Sequence, residues 1–228
     1  MTWRSMLDRF TAPRRFANRT TAGAELAARL VAHGGYVAPL VLALPRGGVP
    51  LAAAIAQALQ APLDLLLVRK LGVPDQVELA MGAIAEGGVL VLNEAVVARL
   101  RISAQQIAQV KYEEEQELAR RAQVYRGTRP APQLAGRSVI LVDDGLATGT
   151  TMRAAIRAAR KDNPAQIIVA VPVAARAIAE AIGAEVEQLV ALEVVDDLDA
   201  IGRWYADFTQ MNDAEVCAVL GFEGVAGE

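Results

Sequence analysis

The second half of the chain constrains the fold most. From Ser138 onward, short apolar runs alternate with helix-periodic segments: strand 138–143, helix 149–162, strand 166–172, helix 174–183 and strand 185–192. This alternation of apolar strands and helices implies a parallel sheet covered by helices on both faces. Right-handed crossovers join such strands, and ligands bind beyond their carboxyl ends. The expected fold class is α/β, a doubly wound and mostly parallel sheet.

The first half extends the pattern. TTAGAELAARLVAHGG, from Thr20, sets Leu26, Leu30 and Val31 on one face and stops at a glycine pair, which predicts a helix. PLVLALP (39–45) reads as a strand, VPLAAAIAQALQ as a helix, and LDLLLVRK (63–70) as a second buried strand ending in two cations. Residues 79–92 predict two strands turning at Gly87 and Gly88, since glycine accepts the positive φ of a tight turn. Asn93 caps a short helix. Ser103 with Gln106 forms a capping box for a longer, highly charged helix running to about residue 126, in which Glu117 precedes Arg121 in the favourable order for an ion pair.

With 228 residues and 54% hydrophobic content the chain can build one core, so 1–228 is expected to be a single domain, with a helical insertion at 93–134 and a hood at 193–228. A net charge of −3 gives no support for nucleic-acid or membrane-surface partners. No segment approaches roughly 18 uninterrupted apolar residues. The amino-terminal MTWRSMLDRFTAPRRF lacks an apolar signal core and reads as a loose or docked leader. The lone Cys217 excludes an internal disulfide and a cysteine-based zinc framework, which fits a reducing cytoplasm.

The chemistry concentrates in VILVDDGLATGTT, residues 139–151. Asp143 and Asp144 fall at the carboxyl end of a buried strand. Gly145 and Gly149 then free the backbone, and Thr148, Thr150 and Thr151 bring hydroxyls to a helix start, where main-chain N–H groups favour an anion. The loop has neither the lysine of a Walker A motif nor the G-x-G-x-x-G dinucleotide fingerprint. Paired carboxylates would repel a bare polyphosphate but accept hydrogen bonds from vicinal hydroxyls. A ligand offering both chemistries is a sugar phosphate with free hydroxyls.

A hydrophobic run, two acids and a T-G-x-T loop closely resemble the 5-phosphoribosyl-1-diphosphate (PRPP) signature of the type I phosphoribosyltransferases. The resemblance implies that Asp143 and Asp144 hold the ribose 2- and 3-hydroxyls while residues 147–151, including Ala147, wrap the 5-phosphate. LPRGGVP (44–50) resembles the family's pyrophosphate loop, with Arg46 as donor, Gly47 and Gly48 permitting close approach, and Pro45–Arg46 the candidate for a cis peptide. Arg69 and Lys70 resemble the family's basic residues near pyrophosphate, although an exposed strand end accounts for them equally well.

The family also implies Mg²⁺ as cofactor, with the Asp pair meeting it through water, together with PRPP, a small-molecule acceptor and a place in nucleotide salvage. The function expected is transfer of the phosphoribosyl group to a nitrogenous base or related acceptor with release of pyrophosphate. The alternative is a PRPP- or nucleotide-sensing regulator without transferase activity. A homo-oligomer stays open. In the family a mobile loop often covers the site; its equivalent here is 71–88, where Glu78 is a candidate proton handler. His33 reads as a solvated helix-end residue. Trp204, Tyr205 and Phe208 are either core packing or an aromatic platform for the acceptor, with Trp204 the candidate. The long helix resembles an insertion in a poorly characterised branch of the family and leaves the acceptor unnamed.

Overall fold

The structure, a computed structural model, describes residues 15–221, and of Val77 and Glu78 the backbone only. The expected leader therefore falls largely outside the described residues, as does the side chain of Glu78. Helix α1 (Arg19–His33) opens on a capping box between Asn18 and Thr21 and stops at Gly34, whose φ of 65° is open to glycine. It is followed by β1 (Leu40–Ala43), α2 (Val49–Leu59) and β2 (Leu63–Leu65). Three further strands, β3 (Val68–Val73), β4 (Gln76–Ala85) and β5 (Val89–Leu92), precede helices α3 (Glu94–Leu100) and α4 (Ala104–Arg126). The carboxyl half contributes β6 (Ser138–Val142), α5 (Thr150–Arg160), β7 (Gln166–Ala175), α6 (Arg176–Gly183), β8 (Gln188–Val195) and α7 (Asp213–Val219).

Five strands form one sheet in the order β2-β1-β6-β7-β8, parallel throughout. Its three central strands, β1, β6 and β7, are buried on both faces, and in β1 Val41 and Ala43 pack on the side of α1 and α2, whereas Leu40 and Leu42 pack on the side of α5 and α6. The chain runs outward from β1 to β2 on one side and from β6 to β8 on the other. The strand order therefore reverses between β1 and β6, and the loops leaving their carboxyl ends open a crevice there.

Three expectations need correction. LDLLLVRK is two strands: β2 ends the parallel sheet, and β3 belongs to an antiparallel sheet of order β3-β4-β5. Residues 71–88, expected as a covering loop, lie largely in the β3–β4 hairpin, which turns at Pro74 and Asp75, the latter with φ of 65°. The turn at Gly87 and Gly88 is as expected, with φ of 76° and 73°. Val31, expected on the apolar face of α1, is 52% exposed, while Ala22, Leu26, Ala27 and Leu30 form the buried face.

Helix α5 lies between the two sheets. Met152, Ala155, Ile156 and Ala159 face the parallel sheet, and Ala154 packs with Ala83, Ala85, Val89 and Val91 of the small one. Alanines let a helix sit this close to sheets on two sides. At the far end of α4, Arg126 is 6% exposed. It binds Asp64, Glu86 and the backbone carbonyl of Leu65, so it answers a carbonyl of the outermost parallel strand and fastens α4 to that edge.

Candidate active site

Val142 is the last residue of a strand with no exposed position, and the chain must leave the sheet with two acids at its mouth. The backbone of the loop is pinned before α5 begins: Leu146 N–H donates to the Val173 carbonyl at 2.8 Å, and Ala175 N–H to the Leu146 carbonyl at 2.9 Å. Gly149 takes φ of 72° at the cap of α5, leaving Thr150 buried and Thr148 exposed. A side chain at Gly145 would meet Ile201 at 2.7 Å, so the carboxyl-terminal segment rests directly on the loop.

The loop after β1 meets this one. The Pro45–Arg46 peptide is cis, at the bond expected. A Cβ at Gly47 would lie 2.2 Å from Asp144 Oδ2, and one at Gly48 would lie 2.3 Å from the Val142 carbonyl. Only glycines admit this approach, so the R-G-G and D-D segments are in van der Waals contact across the β1–β6 crevice. Arg46 reaches outward, its Nη1 lying 3.9 Å from Asp213 Oδ1, while Asp213 accepts the Tyr125 hydroxyl at 2.6 Å.

Burial pushes the Asp143 carboxyl well above the usual carboxylate range, and the neighbouring Asp144 charge adds to it. Asp144 is also raised by burial, against the opposing pull of Arg19. Asp143 Oδ1 accepts the Asp144 N–H at 2.8 Å, and Asp144 Oδ2 accepts Arg19 Nε and Nη2 at 3.0 and 2.7 Å. Arg19 thus engages one oxygen of Asp144, and the Asp144 N–H one oxygen of Asp143. These are hard donors suited to Mg²⁺, which keeps several waters and commonly binds through one or two carboxylates plus phosphate oxygens. No group of three or more His, Cys, Asp or Glu side chains that could cage a metal occurs among the described residues. The residues thus fit an ion held chiefly by its ligand.

Sequence reasoning missed Arg19. Its one local signal is a cation at the first position of a helix, where the macrodipole disfavours it. The aromatic cluster surrounds this arginine: Phe208 lies under the guanidinium at 3.7 Å from the ring centre, and Tyr205 lies at 5.7 Å. Tyr205 is 1% exposed and donates its hydroxyl to the Asp144 carbonyl at 2.7 Å. Burial and the Asp144 charge both raise its pKa, so it stays a donor. Trp204 is partly buried against the core. His33 is exposed at the end of α1, and Cys217 is buried, its thiol directed at the Val124 carbonyl.

Arg69 and Lys70 lie within β3. Arg69 Nε donates to Glu114 Oε2 of α4 at 2.6 Å, and both cations line a cavity of about 610 Å³ between β3 and α4 with Gln106, Gln109 and Glu113. None of the residues lining this cavity belongs to the loops after β1 and β6.

A family model described as the phosphoribosyl transferase domain matches residues 75–197. The chain is 44% identical over 205 residues to the Mycobacterium tuberculosis protein named Putative phosphoribosyl transferase Rv0571c, an alignment covering 90% of this chain and 46% of that protein. It thus spans about half the length of the curated relatives it matches. Among solved structures, TT1426 of Thermus thermophilus is 42% identical with a TM-score of 0.75, over 90% of this chain and 97% of that one. AQ2163 of Aquifex aeolicus, 13% identical with a TM-score of 0.52 over 84% of this chain and 86% of that one, shares the fold. A match over more than half the sequence, on a parallel sheet whose switch point brings R-G-G against D-D, has one consequence: this chain belongs to the phosphoribosyltransferase family.

Proposed function

We propose that the crevice between β1 and β6 binds PRPP and that the protein transfers its phosphoribosyl group to a nitrogenous base or related acceptor, releasing pyrophosphate. The observation that carries this reading is the abutment of Gly47 on the Asp144 carboxylate. It supports a reading in which the R-G-G loop accepts an anion beside an Asp pair that accepts hydroxyls, as a ligand with a diphosphate on its ribose requires.

In this reading Asp143 and Asp144 accept the ribose hydroxyls, and residues 147–151 hold the 5-phosphate at the start of α5. Backbone donors at Gly47 and Gly48, with the Arg46 guanidinium, hold the diphosphate. Asp143 and Asp144 would hold Mg²⁺ through its waters; when bound, the ion neutralises charge on the departing diphosphate. The C1–O bond to diphosphate breaks, its electron pair leaving with the diphosphate, as the acceptor nitrogen bonds to C1 and gives up its proton to solvent or to the released diphosphate. The protein contributes orientation and a preorganised field in place of a covalent intermediate. Negative charge from the Asp pair favours the positive charge that grows on the sugar.

Incubation with labelled PRPP, Mg²⁺ and a panel of bases tests this. Acceptor-dependent release of pyrophosphate is the expected result. Tight PRPP binding with no turnover across a broad panel would instead favour a PRPP-sensing regulator.

A further inference from the structure

Arg19 begins a helix whose first turn holds no acidic residue, so its own helix gives it nothing. Its surroundings explain it. The side chain is 7% exposed, and all three guanidinium nitrogens are engaged: Nε and Nη2 on Asp144 Oδ2, and Nη1 on the Thr209 carbonyl at 3.0 Å. Phe208 covers its face. A buried cation with every nitrogen so committed is poorly placed to turn toward a phosphate.

The effect falls on Asp144. Its Oδ2 is held by two charge-assisted donors and is also the oxygen closest to Gly47. Its backbone carbonyl is held by Tyr205. Turning the carboxylate out of plane would break both bonds to Arg19, so Oδ1 is left pointing in one fixed direction as a single acceptor. We propose that Arg19 is a positioning residue for the ribose site: it holds Asp144 Oδ2 so that Oδ1 meets one ribose hydroxyl, directly or through a metal-bound water. The segment 205–209 acts on the site through the same contact, because Phe208 and Thr209 immobilise Arg19. This inference rests on the reading of Asp143 and Asp144 as the ribose-binding pair.

The test is calorimetric titration of the full chain with PRPP and Mg²⁺ for wild type, Arg19→Met, Arg19→Lys, Asp144→Asn and the Arg19→Met/Asp144→Asn pair, with thermal unfolding of each. Arg19→Met should weaken binding about 10- to 30-fold in the wild-type background and under about twofold when Asn stands at 144, the non-additivity of residues acting as a unit. Arg19→Lys keeps the charge and loses the planar fork, so it should fall between, about 3- to 10-fold weaker. If Arg19→Met does not fold, Arg19→Lys in both backgrounds decides the matter. Equal losses in both backgrounds would mean that Arg19 meets the ligand itself, and wild-type affinity in both Arg19 variants would mean that it positions nothing; either overturns the proposal. No binding by wild type would overturn the ribose reading itself.

Discussion

Arg46 and Arg69 follow similar apolar runs and are similarly exposed, at 31% and 28%, yet they are held differently. Arg46 leaves the carboxyl edge of the parallel sheet with the nearest carboxylate among the described residues 3.9 Å away, and that carboxylate already accepts the Tyr125 hydroxyl. Arg69 sits inside β3 opposite the acidic run of α4 and meets Glu114 at 2.6 Å. One cation is loosely countered, the other closely paired. Availability for an anionic ligand is thus decided by the element packed opposite a residue rather than by the residues beside it. The same contrast separates the two cations' settings: the loop after β1 leaves Arg46 loosely countered, and the α4–β3 layer pairs Arg69 closely.

The largest effect should come from removing the loosely held cation. Arg46→Gln should lower PRPP affinity by about 1.5–3 kcal/mol, the value of hydrogen bonds to charged groups, whereas Arg69→Gln should stay within about twofold of wild type. Calorimetry on both variants checks this, and an equal loss in the two would erase the distinction. Next is Gly47→Ala, whose Cβ would lie 2.2 Å from Asp144 Oδ2. Forcing that contact apart should cost about 1–3 kcal/mol of stability and weaken PRPP binding with it, read by denaturant unfolding and titration.

Asp143→Asn should do the opposite to stability. Folding raises the Asp143 pKa above 3.8, so the wild-type protein loses stability as pH rises from that value through the folded one. The Asn variant should therefore be more stable at pH 7 by about 0.5–2 kcal/mol, a gain that vanishes in acid, while PRPP affinity falls. Unfolding curves across pH measure it. The smallest effect belongs to the compensated layer. Hydrogen bonding from Arg120, with further help from Arg121, lowers the Glu117 pKa from 4.5 to about 2. Its contribution is complete above pH 4.5 and lost as pH falls toward about 2. Glu117→Gln should cost only about 0.3–1 kcal/mol at pH 7, since the pair is partly solvated.

The parallel sheet was legible because strands buried on both faces read as unbroken apolar runs, and the two site loops because their glycines, acids and threonines are local in sequence. Leu66 and Leu67 hid the break between β2 and β3: an apolar run without Gly or Pro carries no mark of a change of sheet. Arg19 and Arg126 were illegible for another reason. Their partners stand 125, 62 and 40 residues away, so nothing in the local pattern distinguishes a buried, paired arginine from a solvated one. The aromatic cluster was visible as a cluster. Its service to Arg19 and Asp144 depended on that same unseen partner.

We read the loops after β1 and β6 as one site with two halves. The most direct measurement is a competition titration with Mg²⁺ present, in which ribose 5-phosphate and pyrophosphate are bound together and PRPP is then added. Both should bind at once, and one equivalent of PRPP should displace both. Displacement of only one of them, or of neither, would contradict this reading.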